Sequence, residues 1–232
     1  MEVRTLLKRG TDHPVNCEDD LFTFNDGTTY IGAVFEGCST GIKSHFASAL
    51  YGKIIKKYCV NNMPFYGTMD IQLIGRSLYK HLYKELKALK IQLSLSPLEI
   101  LSTMILAIVR GDKAYILISG DGCILVDDEE YKIESPGNAP DYLAYHLNHL
   151  YEAQESMKTY EVTFTKSLSI CSDGIYSFTD ENKEDVSYSV IKVLLKDETL
   201  LKSDAMLARK YNLLTKAGFT NYDDLSIIRF IL

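Results

Sequence analysis

Four acidic clusters, each set against an apolar run that reads as a β-strand, constrain this chain more than any other feature. They are Cys17-Glu18-Asp19-Asp20, Glu36-Gly37, Cys171-Ser172-Asp173-Gly174 and Tyr222-Asp223-Asp224-Leu225. Carboxylates emerging where strands end would crowd one another, and each raises its neighbour's pKa unless a cation lies between them. Divalent metal held by oxygen ligands alone is the simplest reason for a fold to gather them. The bland alternative is a set of solvated acidic turns, since Asp and Gly favour turns for their own reasons.

The strand pattern gives these acids a setting. Leu21 to Phe24 and Thr28 to Phe35 flank Asn25-Asp26-Gly27, a tight-turn signal, so a hairpin would bring Asp19 and Glu36 together at its open end. Apolar spacing predicts helices over Ser44 to Val60 and Asp70 to Leu93. Ser96-Pro97-Leu98-Glu99 carries the signature of a third helix start, with an N-cap serine, a proline at the first position and a capping-box glutamate. Met104 to Val109, Ala114 to Ser119 and Cys123 to Val126 read as an antiparallel meander turning at Gly111-Asp112 and Gly120-Asp121-Gly122. Asp141 to Tyr151 reads as helix, Tyr160 to Phe164 and Leu168 to Cys171 as strands. Val186 to Leu195 and Ser203 to Ala217 then read as helices before a last strand, Leu225 to Ile231. Hairpins in one block and helix pairs in another predict an α+β layered sandwich.

Composition excludes several classes of function. A net charge of −6 argues against a nucleic-acid or anionic-membrane binder, which needs a basic face. No apolar run approaches the roughly 20 residues that span a bilayer. The segment Met1-Glu2-Val3-Arg4-Thr5 lacks the apolar core of a signal peptide. Five cysteines without a CxxC pair suit reduced thiols, so the expected location is cytoplasmic. His45, His81, His146 and His149 show no metal-ligand spacing.

Taken in order, the motifs resemble the metal-dependent type 2C protein phosphatases (the PPM family), in a bacterial-like subgroup. Gly10-Thr11-Asp12-His13 with Cys17-Glu18-Asp19 resembles the opening motif, and Val34-Phe35-Glu36-Gly37 the apolar strand ending in Asp-Gly. Ser119-Gly120-Asp121-Gly122 is similar to the Gly-Asp-Ser or Gly-Asp-Gly turn, and Ser172-Asp173-Gly174-Ile175 to Ser-Asp-Gly-Leu. Asp223-Asp224-Leu225-Ser226 resembles the closing Asp-Asn or Asp-Asp element. The resemblance spans nearly the whole chain. It implies a single domain over residues 1–232, a four-layer αββα sandwich of two antiparallel sheets flanked by helix pairs.

The resemblance also implies an activity. Two Mg²⁺ or Mn²⁺ ions, with a third in some members, would hold a hydroxide that attacks the phosphorus of a phosphoserine or phosphothreonine. Asp19, Glu36, Asp173 and Asp223 match the ligand positions, and Gly37 would contribute its carbonyl. Glu18 would act through water, Asp121 at the third ion, and His13 or Cys38 at the phosphate. No nucleophilic side chain is implied. The partner would be a phosphoprotein substrate, with a cognate serine/threonine kinase, and no nucleic acid or membrane. One departure stands out. The family has Asp where this chain has Glu36, one methylene longer, and Mg²⁺ demands near-octahedral geometry at about 2.0–2.1 Å. The alternative is therefore a pseudophosphatase that keeps the fold and binds a phosphoprotein or partner through an impaired centre.

Overall fold

The computed structural model describes residues 1–135, 137, 140–201 and 203–232. Two five-stranded antiparallel sheets form its middle. One runs β2 (Asp19–Asn25), β3 (Tyr30–Gly37), β4 (Ser102–Arg110), β5 (Lys113–Ser119) and β8 (Lys158–Thr163) in the order β2-β3-β4-β5-β8. The other runs β1 (Glu2–Lys8), β6 (Gly122–Val126), β7 (Glu129–Ile133), β9 (Ser167–Cys171) and β12 (Leu225–Ile231) in the order β1-β12-β9-β6-β7. A two-residue pair, β10 (Phe178–Thr179) with β11 (Thr220–Asn221), stands apart.

The long apolar runs follow from burial on both faces. On β4, Met104, Leu106 and Ile108 join one buried cluster while Ile105, Ala107 and Val109 join another. The first cluster lies beneath α1 (Ser44–Tyr66) and α2 (Ile71–Gln92), which contribute Tyr51, Ile55, Ile74, Leu78 and Leu82. The second is the seam between the sheets, where Val34, Ile116 and Ile118 meet Ile170, Ile228 and Phe230. A third cluster packs Ile175, Val190, Leu194, Met206 and Leu207 on the far face of the second sheet. Its helices are α4 (Ser187–Ile191), which runs on as a π-turn through Lys196, and α5 (Met206–Lys216). The layers are thus helices, sheet, sheet, helices. Each fully buried Leu, Ile or Phe contributes about 1.5–3 kcal/mol to holding them together. Among the described residues, no helix is long and apolar enough to cross a membrane.

Buried cations close the outer layer. Arg229 donates through Nη1 to the Leu194 and Asp197 carbonyls, at 3.2 and 3.0 Å, and Lys210 Nζ donates to the Asp197 carbonyl at 2.5 Å. They satisfy carbonyls that the helix end leaves unpaired.

The structure corrects three expectations. Ser96-Pro97-Leu98-Glu99 does form its capping box, with Ser96 N donating to Glu99 Oε2 at 2.9 Å, but closes only one 3-10 turn. Ile100 and Leu101 are drawn into the core there and the chain passes into β4. Asp141 to Tyr151 is not one helix. It divides into a 3-10 turn, Leu143–His146, and α3 (Leu150–Glu155), with the Leu147 carbonyl accepting from Tyr83 Oη at 3.0 Å. Finally, the strand after Gly120-Asp121-Gly122 does not continue a meander. β6 pairs with β7 and β9 in the other sheet, and β5 takes β8 as its neighbour.

Candidate metal centre

The β2–β3 hairpin sets the first two acids. Asp19 and Glu36 are register partners, directly opposite at its open end. Gly37 N donates to the Glu18 carbonyl at 2.9 Å and closes that end. A Cβ at Gly37 would stand 2.3 Å from the Ser44 carbonyl of α1, so this position admits only glycine. Asp20 takes the other face of the strand, and its Oδ2 would lie 2.8 Å from a Cβ on Gly52 of α1.

Asp121 occupies the corner between the two sheets. Gly120 and Gly122 flank it with φ of 99° and 137°, values that L side chains resist. The sharp crossing leaves Asp121 buried at 8% exposure.

Asp173 follows the end of β9, and a serine ties its loop to both neighbours. Ser172 Oγ donates to Asp19 Oδ2 at 2.6 Å and accepts from Ser226 N at 3.0 Å. One hydroxyl therefore joins the first sheet's acid to the second sheet's last strand. Asp223 sits in the turn before β12, where its N–H donates to Ser177 Oγ at 3.2 Å and its carbonyl accepts from Asn221 Nδ2 at 2.8 Å. Ser172 and Ser177 carried no role in the sequence reading. The signal for Ser172 was its place between a strand end and Asp-Gly.

Asp224 faces away from this cluster. Its carboxylate accepts from Gly10 N at 2.7 Å, from Glu18 N, and meets His13 Nδ1 at 2.8 Å. His13 Nε2 lies 3.4 Å from Asp223 Oδ1, so both ring nitrogens face carboxylates. Burial pulls the imidazole pKa down, but the Asp224 hydrogen bond and the charges of Asp224, Asp223 and Glu18 outweigh it, and the net shift is upward. Contact with a phosphate would require His13 to release one of these acids. Cys38 Sγ lies 3.1 Å from Thr40 Oγ1, beside the cavity that Glu36 lines.

Glu36, Asp173 and Asp223 each offer a carboxylate oxygen within 4.8 Å of the others. Asp19 is outside that trio, held by Ser172, and Asp121 lines the same cleft. Among the described residues, four buried carboxylate oxygens have no hydrogen-bond partner: Glu18 Oε2, Asp19 Oδ1, Glu36 Oε2 and Asp173 Oδ1. Buried acceptors of this kind normally find donors. Burial, reinforced by the neighbouring acids, pushes Asp19 up to about 8 and Asp173 up to about 6. The hydrogen bond from Ser172 to Asp19 opposes the shift without cancelling it. Glu36 is raised well above the carboxylate range by burial and by Asp173, Asp19, Asp121 and Asp223. Burial raises Asp121 and Asp223 in the same sense. Orphaned oxygens converging without a nitrogen or sulfur donor fit a hard divalent cation such as Mg²⁺ or Mn²⁺.

The acids open onto two cavities. A larger one of about 410 Å³ is lined by Glu36, Asp121, Asp173 and Asp223 with Tyr142 and Tyr145. A smaller one of about 140 Å³ shares Asp121, Asp173 and Asp223 and adds Lys132, Tyr176 and Tyr222.

Solved structures share this architecture. The serine/threonine phosphatase Stp1 from Staphylococcus aureus superposes with a TM-score of 0.66 at 13% identity, covering 100% of this chain and 94% of that one. PppA, a regulatory component of the type VI secretion system of Pseudomonas aeruginosa, gives 0.61 at 15%, covering 100% and 97%. A sex-determining protein of C. elegans gives 0.69 at 13%, covering 98% of this chain and 64% of that one. No curated protein matches the sequence. The family model for protein phosphatase 2C matches residues 9–208, and the chain belongs to that family.

Proposed function

We propose that residues 1–232 form one catalytic domain, a metal-dependent serine/threonine phosphoprotein phosphatase acting in the cytoplasm. The observation that carries this reading is the convergence of Glu36, Asp173 and Asp223 from three strand ends, with a buried oxygen on Glu36 and another on Asp173 that lack any donor. Two bound Mg²⁺ or Mn²⁺ ions would supply an acidified water and neutralise charge on the phosphoryl group. Asp19, Glu36, Asp173 and Asp223 would hold them, with the Gly37 carbonyl beside Glu36. Glu18 would act through water, and Asp121, at the sheet-crossing corner, would serve a third ion. Ser172 fixes the direction of Asp19, and Asp224 ties the Gly10 to Glu18 segment against the last turn. The substrate would be a phosphoprotein, and the phosphorylating partner a serine/threonine kinase.

Glu36 favours a second reading, a pseudophosphatase that binds a phosphoprotein without hydrolysing it. Both are tested by hydrolysis of a phosphothreonine peptide with Mn²⁺, EDTA as the blank, and Glu36→Asp alongside. Turnover in the natural chain that EDTA abolishes is the expected result. Turnover only in Glu36→Asp would assign the binding role instead.

A further inference from the structure

A phosphate dianion entering this cleft meets carboxylates on every strand end. Among the described residues lining its two cavities, one carries a lysine or arginine side chain: Lys132. The strand register aims it. Lys132 pairs with Cys123, Cys123 with Cys171, and Cys171 with Ile227, so the four form one row across the second sheet. Asp173 lies two residues beyond Cys171, and Asp121 two residues before Cys123. Lys132 therefore stands on edge strand β7 two residues short of the level of both acids, where Glu134 follows it on the strand.

Its position is also restrained. Nζ sits 4.6 Å from the centroid of the Tyr176 ring, a cation–π distance. Tyr176 ends the turn that begins at Asp173, and its hydroxyl donates to Glu130 Oε1 on β7 at 2.9 Å. The ring thus fixes the ammonium at the lip of the Asp173 loop. The other partner of Nζ is Glu134, at 2.6 Å. Half of the lysine side chain and more of the glutamate are exposed, so that pair contributes little and is easily exchanged.

We infer that Lys132 is the phosphate-contacting cation of this centre, leaving Glu134 to donate a charge-assisted hydrogen bond to a non-bridging oxygen of the phosphoryl group. The inference rests on the phosphatase reading for its setting, though binding alone tests it. With ions bound among the acids to attract the phosphate, a lysine at the rim adds a directed donor from the cavity that Asp121, Asp173 and Asp223 share. Glu134 then acts as a competitor for the same ammonium.

The test is calorimetric titration of inorganic phosphate into the Mn²⁺-loaded protein, comparing the natural chain with Lys132→Ala, Lys132→Arg and Glu134→Gln. A hydrogen bond to a charged group is worth about 1.5–3 kcal/mol, so Lys132→Ala is expected to weaken phosphate binding by about tenfold to a hundredfold. Lys132→Arg should restore most of it, and Glu134→Gln should tighten it. Lys132→Arg, which keeps the charge beside Asp173, should leave Mn²⁺ affinity and Tm unchanged, and each titration is run with the Mn²⁺ sites saturated. Phosphate affinity held within twofold in Lys132→Ala, or no phosphate binding by the natural chain, would overturn the inference. Peptide turnover on the same preparations separates the two readings. Phosphate binding through Lys132 without hydrolysis would remove the phosphatase reading alone, and hydrolysis with unchanged phosphate affinity in Lys132→Ala would remove this one alone.

Discussion

Gly174 packs so closely against the Asp224 carbonyl that a Cβ on it would stand 1.7 Å from that oxygen. The turn carrying Asp173 and the turn carrying Asp223 are therefore in backbone contact, and their separation is set by the absence of a single side chain. Gly174→Ala must push the turns apart. Such forced overpacking belongs to the small class of severe substitutions, and an expected loss of about 3 kcal/mol or more follows. Urea unfolding measures it, and a loss under about 1 kcal/mol would contradict the close approach.

Asp224 makes the opposite kind of contribution, through what it accepts. Its carboxylate takes Gly10 N, Glu18 N and His13 Nδ1, all from a segment more than 200 residues earlier. Asp224→Ala leaves those donors unmatched in a buried place, at a cost of about 2–4 kcal/mol. Hydrogen exchange should accelerate at Gly10 and Glu18 before it does in the β4–β5 core. Equal protection in the variant would mean that the segment is held by other contacts.

The sequence carried the acids of this centre more clearly than the scaffold that joins them. Asp19 and Glu36 were legible as partners because a turn signal between two β-branched runs fixes a hairpin's register. The corner at Asp121 was misread because a Gly-Asp-Gly turn looks the same whether the next strand pairs back or crosses to another sheet. Only the tertiary packing of Ile124 against the sheet seam decides that. The edge strands β1 and β7 escaped notice for a related reason. Charged residues such as Glu129, Glu130 and Lys132 protect an exposed edge and erase its alternation. Ser172 was hidden because a hydroxyl's value depends on which two strands it meets.

Asp173→Asn separates the ligand role from the fold. The substitution keeps size and removes charge from a carboxyl that burial and its neighbours already hold up at about 6. Metal-free stability should be unchanged or slightly higher, since repulsion falls. Hydrolysis of the phosphothreonine peptide should fall by about a hundredfold or more, as removing a ligand costs more than the 10–100-fold of an outer partner. Retained turnover at full Mn²⁺ would remove Asp173 from the ligand set.

Metal and pH should act on stability in opposite directions. Asp19 at about 8 and Asp173 at about 6 both lie above the ordinary aspartate value of about 3.9 in the unfolded chain. A group whose folded pKa is raised binds its proton more tightly when folded. Its stabilisation is complete below the unfolded pKa and disappears as pH rises through the folded one. The metal-free protein should therefore lose stability steadily between about pH 4 and pH 8, with the Asp173 share gone earlier than the Asp19 share. A divalent cation needs these same carboxylates ionised, so its stabilisation should grow over the interval in which the proton's fades. Thermal unfolding with EDTA or with Mn²⁺, at about pH 5 and about pH 8, measures both trends. The expected outcome is a small rise in Tm from Mn²⁺ at the lower pH and a clearly larger one at the higher. An equal rise at both would mean that the ion binds somewhere other than these buried acids.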